Sequence, residues 1–107
     1  MKGDIVLFPF PYTNLTNKKI RPCLVISNEM GRDIVLCQIT SKNIPADIFS
    51  VELKKTETLE GTIFIDSYIR ANMIFTADKS QIIEKICKIN NKKYKEVIKR
   101  IIKLISK

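Results

Sequence analysis

The sequence predicts a mainly β protein: a small closed or sandwiched sheet of five to seven short antiparallel strands, followed by one amphipathic helix. Two observations indicate this fold class. Runs of strand-forming residues recur about every ten residues, and no long helical segments separate them as they do in βαβ units. Beyond residue 90 the hydrophobic residues recur at three- and four-residue steps, which is the spacing of a helix face.

Each predicted strand is a short run of aliphatic, β-branched and aromatic residues that ends at proline, glycine or polar residues. The predicted strands lie at residues 4–10, 21–27, 33–41, 51–55, 62–66 and 67–78. The second and third form a hairpin, because only a short polar turn containing Gly31 separates them. A polar loop precedes this hairpin, an irregular stretch around Pro45 follows it, and Gly61 marks a later turn.

The C-terminal region predicts a change from strand to helix. Residues 81–89 are ambiguous and are expected to hold one helical turn and a short strand. After Asn90 or Asn91, either of which can cap a helix, one face collects the hydrophobic residues Tyr94, Val97, Ile98, Ile101, Ile102 and Ile105. A basic amphipathic helix can also lie on a membrane. Packing on the sheet is the simpler interpretation, since a small sheet needs the additional buried area.

The chain has 107 residues, 45% of them hydrophobic, which predicts a single domain over residues 1–107. No stretch approaches the roughly 18 apolar residues of a membrane span, and the first residues lack the features of a signal peptide. A cytoplasmic protein that does not enter membranes is therefore expected.

The three cysteines show no CxxC spacing and lie among apolar neighbours, so buried reduced thiols are predicted. Without histidine or a cysteine cluster, we expect no metal and no cofactor.

The formal net charge of +8 favours polyanions or an acidic protein as partners. A solvated, lysine-rich surface with no specific partner explains the same composition equally well. Charge alone therefore does not choose between these interpretations.

Polar side chains that could act in chemistry lie where predicted strands meet loops. Arg21 opens the second strand, and the hairpin brings it to the same end as Thr40 near the close of the third. Arginine binds phosphate oxygens through its planar fork, and a threonine hydroxyl can donate to the same phosphate. Such a pair could stabilise the charged intermediate of RNA cleavage by its own 2′-hydroxyl without a metal. A surface arginine and ordinary turn residues explain these positions as well, and Arg70 and Asn72 could mark a bulge.

Four stretches of the chain are more specific than these single residues. The segments "GDIVLFPFPYTNL", "RPCLVIS", "QITSK" and "FTADKSQIIEKICKI" together resemble the PemK/MazF toxins of toxin–antitoxin systems, in the same order along nearly the whole chain. The resemblance implies a small SH3-like barrel with a terminal helix, a homodimer, and sequence-specific cleavage of single-stranded mRNA without a metal. It further implies neutralisation by a cognate antitoxin and binding of operator DNA by the toxin–antitoxin complex.

Functional residues follow from the resemblance position by position. Arg21 matches the arginine that contacts the scissile phosphate, Thr40 the threonine beside it, and Arg70 the catalytic arginine of the PemK branch. The loop from Tyr12 to Lys19 matches the segment that controls access of RNA. The residues that we expect to bind RNA are Tyr12, Thr13, Asn14, Lys18, Lys19, Gln38, Ser41, Lys42 and Asn72.

The chain also departs from the PemK pattern. Asn72 stands where that branch has an aspartate, and the family's loop histidine has no equivalent. The identity of a general base is therefore open. The alternative is a non-catalytic protein of the same fold that binds its antitoxin, operator DNA or gyrase. The gyrase-binding branch carries a tryptophan near its C-terminus, which this chain lacks.

Overall fold

A computed structural model describes residues 1–11, 18–42 and 48–106, and for Pro11 and Lys18 the backbone alone. Within these ranges the strands are β1 (Asp4–Pro11), β2 (Lys18–Val25), β3 (Asp33–Thr40), β4 (Ser50–Leu53), β5 (Thr58–Leu59), β6 (Ser67–Asp78) and β7 (Glu84–Ile89). One helix, α1 (Asn91–Ile105), follows them. Single 3-10 turns lie at Lys55–Glu57 and Lys79–Gln81.

The strands form one sheet in the order β4-β6-β3-β2-β1-β7-β5, and every described pair is antiparallel. The sheet curls into a half-barrel, and α1 packs against it. The predicted fold class, a small antiparallel barrel with a terminal helix, is therefore confirmed. The predicted hairpin is β2–β3, and Gly31 adopts a φ of 66° in its turn. That conformation is easily reached by glycine.

One predicted strand is wrong. Residues 62–66 lie between β5 and β6 without pairing to a described strand. Glu60 and Gly61 both have positive φ, 56° and 126°, which turns the chain away from the extended path that a ladder requires. Asp66 instead accepts a hydrogen bond from the backbone N–H of Lys55 at 2.8 Å. The short strand expected within residues 81–89 is confirmed as β7, whereas the helical turn lies earlier than expected, at Lys79–Gln81.

Two hydrophobic clusters lie on opposite faces of the sheet, because neighbouring residues of a strand point to opposite sides. The first is covered by α1 and includes Ile5, Leu24, Ile39, Leu53, Ile69 and Val97. The second contains Val6, Phe8, Val25 and Leu36, and Phe10 and Phe75 pack against it. The rings of Phe8, Phe10 and Phe75 meet edge to face, with centroids 5.0 to 5.7 Å apart. The hydrophobic core therefore has two parts, one on each face of the curled sheet.

The three cysteines are buried and reduced, as the sequence predicts. Burial raises the pKa of Cys23 and Cys37 to about 12 and that of Cys87 to about 11. All three therefore stay protonated at neutral pH, which makes them poor nucleophiles. They are core residues rather than candidates for catalysis.

Helix α1 begins as predicted, with the Asn90 side chain accepting the backbone N–H of Lys93 at 2.7 Å. Its hydrophobic face is only partly buried. Val97 and Ile101 pack into the core, whereas Ile102 and Ile105 are exposed. The described part of the chain contains no helix that is long and apolar enough to cross a membrane.

A buried lysine, which the sequence did not predict, fastens α1 to the sheet. The Nζ of Lys93 lies 3.0 Å from the Glu57 carboxylate and 3.1 Å from that of Glu96, and it donates to the Glu52 carbonyl at 2.9 Å. Burial alone would raise the pKa of Glu57, but hydrogen bonds from the Lys54 backbone and from Lys93 outweigh it and lower that pKa. The cluster therefore stabilises the folded state when Glu57 is ionised.

Replacing Lys93 by methionine should lower the free energy of unfolding by about 1–3 kcal/mol, because a partly buried carboxylate and a carbonyl lose their partner. Lys95→Met, at an exposed position of the same helix, should change it by less than about 0.5 kcal/mol. Urea unfolding measures both values.

The stabilisation by Lys93 should also depend on pH. Since the pKa of Glu57 is lowered from 4.5, the contribution of Glu57 to stability is present above that pH and is lost as the pH falls through the lowered value. The difference in the free energy of unfolding between wild type and Lys93→Met should therefore become smaller below about pH 4.5. A difference that stays constant from pH 7 to 3 would contradict this account.

Candidate functional site

A cleft of about 410 Å³ opens where the start of β2 and the end of β3 face the segment between β5 and β6. Its polar lining residues include Lys19, Arg21, Thr40, Ser41 and Lys42. Three of these side chains are cationic, and the described lining contains no carboxylate. The cleft therefore suits an anion that also accepts hydrogen bonds.

The β2–β3 ladder brings Arg21 and Thr40 to one end of the sheet. Cys23 pairs with Gln38, and Arg21 and Thr40 each lie two residues further along their strands, where both line the cleft. The described ladder stops at Cys23, one residue after Pro22, which has no N–H to donate. The two strand ends are thus free to separate at this point, and the cleft lies there. The expectation that Arg21 opens the second strand is wrong, because β2 begins at Lys18 and Arg21 lies inside it, at the point where the ladder with β3 has ended and the cleft opens.

Arg21 is partly buried and lies on the face of the sheet that carries the second hydrophobic cluster. It pairs with Phe8 of β1, a buried member of that cluster. The aliphatic part of an arginine side chain can pack on such apolar surface while its guanidinium reaches into water. This setting holds the charge at the cleft without removing it from solvent.

Thr40 ends β3 and closes a local turn. Its Oγ1 accepts the backbone N–H of Lys42 at 3.2 Å. Since a hydroxyl also carries one hydrogen of its own, Thr40 can still donate to a ligand oxygen. Ser41 and Lys42 follow immediately and are exposed.

Arg70, Gln38 and Asn72 meet at a bulge rather than in the cleft. The β3–β6 register shifts between Cys37 and Ile39, so four residues of β6, 70–73, stand against Gln38 alone. Bulges of this kind turn a side chain away from its regular direction and are common beside active sites. The predicted polar interruption is therefore a real irregularity, although none of these three residues lines the cleft.

The guanidinium of Arg70 has an unused donor. Its Nε is buried and has no hydrogen-bond partner among the described residues. Leaving such a group unpaired costs about 1–3 kcal/mol, which a bound anion could recover. Its backbone carbonyl is engaged, because the Cys37 thiol donates to it at 3.0 Å.

The remaining predicted site residues are only partly described. Lys19 is exposed and lines the cleft, and the backbone of Lys18 pairs with Pro11 in the β1–β2 ladder. Tyr12, Thr13 and Asn14 lie outside the described residues. The roles of all these residues in binding RNA stay predictions.

Comparison with known proteins agrees with the sequence resemblance. Residues 1–105 match the family model described as the PemK-like, MazF-like toxin of type II toxin–antitoxin systems. The chain belongs to the PemK/MazF toxin family. No curated protein sequence matches it significantly.

Solved structures of similar fold are toxins of the same kind. A MazE-MazF structure (Form-III) from Deinococcus radiodurans has a TM-score of 0.76 at 20% identity and covers 97% of this chain and 94% of its own. An endoribonuclease in complex with its cognate antitoxin, from Mycobacterial species, has a TM-score of 0.75 at 14% identity, with coverages of 99% and 92%. The Mycobacterium tuberculosis toxin MazF-mt6 has a TM-score of 0.72 at 13% identity and covers 96% of each chain. At these identities the likeness concerns the fold.

In this PemK/MazF toxin the cleft has a third wall that the sequence did not predict. The sequence predicts a strand at residues 62–66, yet these residues are unpaired, and Ile63, Phe64 and Ile65 all line the cleft. Ile63 is buried, whereas Phe64 and Ile65 are both exposed. A strand would place Ile65 on the same side as Ile63, so the segment lacks both the pairing and the side-chain alternation of a strand.

Proposed function

We propose that this PemK/MazF toxin is a metal-independent, sequence-specific endoribonuclease that cleaves single-stranded mRNA in the cytoplasm. The observation that carries the proposal is the cleft itself, which is lined by Arg21 and Thr40 together with the cationic Lys19 and Lys42. A phosphodiester is an anion with several acceptor oxygens, which is the chemistry that these donors bind. Family membership supports the same activity.

Cleavage is proposed to proceed by transesterification. The 2′-oxygen attacks the adjacent phosphorus and loses its proton, while the bond from phosphorus to the 5′-oxygen breaks and that oxygen takes up a proton. The products are a 2′,3′-cyclic phosphate and a 5′-hydroxyl. Arg21 stabilises the additional negative charge on the phosphorane, and Thr40 donates to a non-bridging oxygen or orients the 2′-hydroxyl. Holding the reacting groups in line supplies the rest of the acceleration.

Arg70 is proposed to support the same phosphate from the neighbouring bulge. Its guanidinium adds positive charge there, and its buried Nε–H, unpaired among the described residues, reaches an anion only when the side chain moves. Asn72, exposed on the same bulge, cannot ionise and so offers the amide as a hydrogen-bonding group only. In this account Arg70 adds charge and hydrogen bonding, and Arg21 with Thr40 remain the central pair.

The pH dependence of the rate should show that no carboxylate takes the proton. The described lining of the cleft holds no carboxylate, and the chain has no histidine, so the 2′-hydroxyl proton passes to solvent. The logarithm of the single-turnover rate should then rise with a slope near 1 across about pH 6 to 8. A rate that reaches a plateau with an apparent pKa near 4 to 6 would instead identify a carboxylate base.

Two protein partners are proposed. The first is a cognate antitoxin with an acidic segment, which the net charge of +8 and the antitoxin-bound neighbours support. The second is another copy of the chain. Met73 and Ile74 are large hydrophobic residues of β6 that remain more than 40% exposed, next to Phe75 of the aromatic cluster. A homodimer through this region would cover them.

Incubation of the purified protein with a long unstructured RNA in EDTA tests the activity. Mapping the 5′ ends of the fragments should reveal discrete cuts at one short sequence, each bearing a 5′-hydroxyl. The same reaction with a 50-fold excess of Mg²⁺ over EDTA should proceed at a similar rate. Intact RNA after incubation with folded protein in both conditions would contradict the proposal and favour the non-catalytic alternative.

A further inference from the structure

The segment between β5 and β6 presents an aromatic ring to the cleft. Phe64 is 76% exposed, the largest exposed fraction among the large hydrophobic residues that the structure describes. It lines the same cleft as Arg21 and Thr40. Single exposed hydrophobic residues are common on protein surfaces, so the exposure gains meaning only from this position and from how the ring is held.

The backbone beneath Phe64 is fixed on both sides. On one side Ile63 is buried in the core, and Gly61 packs against the carbonyl of Ile86. On the other side Ser67 donates its hydroxyl to the Ile65 carbonyl at 2.7 Å, and Asp66 accepts the Lys55 N–H at 2.8 Å. The segment therefore holds its aromatic side chain at the cleft although it belongs to no strand. A ring presented on an anchored backbone loses little conformational entropy when a ligand covers it.

We propose that Phe64 is a base-stacking residue of this site: its ring packs on an unpaired base of the RNA whose phosphate is held by Arg21. This inference rests on the proposed function. An exposed aromatic ring beside cationic side chains is the combination by which proteins bind single strands, because each base offers a flat face next to an anionic backbone. Stacking does not depend on hydrogen-bond patterns, so Phe64 should contribute affinity and orientation, whereas polar groups choose the base.

Binding of an uncleavable RNA tests the role directly. The probe is a fluorescent oligonucleotide of the mapped target sequence with a single 2′-deoxy nucleotide at the cleavage position, and its affinity is measured by anisotropy. Phe64→Ala and Phe64→Leu should each weaken binding by roughly tenfold to a hundredfold, whereas Phe64→Tyr should stay within about twofold of wild type. Ile105→Ala provides the matched control, because Ile105 is 72% exposed on α1 and does not line the cleft. It should bind like wild type.

An abasic scan identifies the stacked base. Each nucleotide of the probe is replaced in turn by an abasic one, and affinities are compared between wild type and Phe64→Ala. At one position the abasic substitution should lower the affinity of wild type by roughly tenfold or more. The affinity of Phe64→Ala should hardly change there, because the ring that stacks on that base is already missing. Equal penalties in the two proteins at every position would overturn the proposal.

Two other outcomes separate the hypotheses. Full binding and cleavage by Phe64→Ala, or by Phe64→Leu, would refute stacking while leaving the nuclease proposal intact; a loss of antitoxin binding in those variants would then assign Phe64 to a protein interface. Absence of both binding and cleavage in the wild-type protein would refute the proposed function itself. The thermal midpoints of the variants, expected to lie within about 2 °C of wild type for an exposed side chain, exclude misfolding as the cause.

Discussion

Arg21→Ala should lower the rate of RNA cleavage by roughly a thousandfold while leaving the thermal midpoint within about 2 °C of wild type. The rate falls because the variant lacks the donor placed to stabilise the phosphorane, and positioned donors of this kind contribute about a hundredfold to a thousandfold each. Stability is kept because the Arg21 side chain is only partly buried, and the backbone pairing of Arg21 with Phe8 of β1 does not need that side chain. Single-turnover cleavage of the mapped RNA sequence measures the rate.

Two further variants show whether geometry or charge is responsible. Arg21→Lys keeps the charge but loses the planar fork, so it should recover only about tenfold of the lost rate. Arg32→Ala is the matched control, since Arg32 is exposed, pairs with Asp78 at 3.2 Å and does not line the cleft. Its rate should equal that of wild type. An Arg21→Ala protein that cuts as fast as Arg32→Ala would remove Arg21 from the mechanism.

Gly61→Ala should be the most destabilising of the variants considered, with a loss of about 3 kcal/mol or more in the free energy of unfolding. A Cβ at this position would lie 2.3 Å from the carbonyl oxygen of Ile86, a backbone atom that cannot move alone. The φ of 126° is also rarely adopted by residues with a side chain. Displacement of the segment that follows should additionally disturb the cleft wall formed by Phe64.

Gly31→Ala distinguishes the cost of the positive φ from the cost of the contact with Ile86. Gly31 also has a positive φ, 66°, but no atom lies within 4 Å of the position of an added Cβ. At Gly31 only the cost of a positive φ for alanine applies, which lowers the free energy of unfolding by about 1 kcal/mol. Urea unfolding of both variants gives the comparison. Equal losses would mean that the contact with Ile86 has no energetic consequence, contrary to this account.

The strand pattern could be predicted because local rules decide it. The turn at Gly31, the helix cap at Asn90 and the alternation in the strands are properties of short segments, and each was found where expected. That Arg21 and Thr40 line one cleft was predictable for the same reason, since a short turn fixes which ends of two strands lie together.

The remaining features depend on contacts between distant parts of the chain. Lys93 appears in sequence as one more surface lysine, and only folding brings it to Glu57 and the Glu52 carbonyl. Ile102 and Ile105 continue the hydrophobic period of α1 but stay exposed, although Ile101 and Leu104 beside them pack on the core. Phe64 belongs to a segment whose composition suits a strand, while the hydrogen bonds of that segment join it to the 3-10 turn at Lys55 and to Ser67 at the start of β6. Periodicity in the sequence does not show which distant residues a side chain contacts in the folded protein.

The most direct measurement of the central claim compares two RNA oligonucleotides of the mapped sequence in EDTA, one all-ribose and one with a single 2′-deoxy nucleotide at the cleavage position. The account predicts that the all-ribose strand is cut to a 2′,3′-cyclic phosphate and a 5′-hydroxyl, and that the deoxy strand stays intact although it binds equally well. Cleavage of both strands would mean that the 2′-hydroxyl is not the nucleophile. Cleavage of neither, by a folded protein that binds its antitoxin, would show that this toxin acts by binding alone.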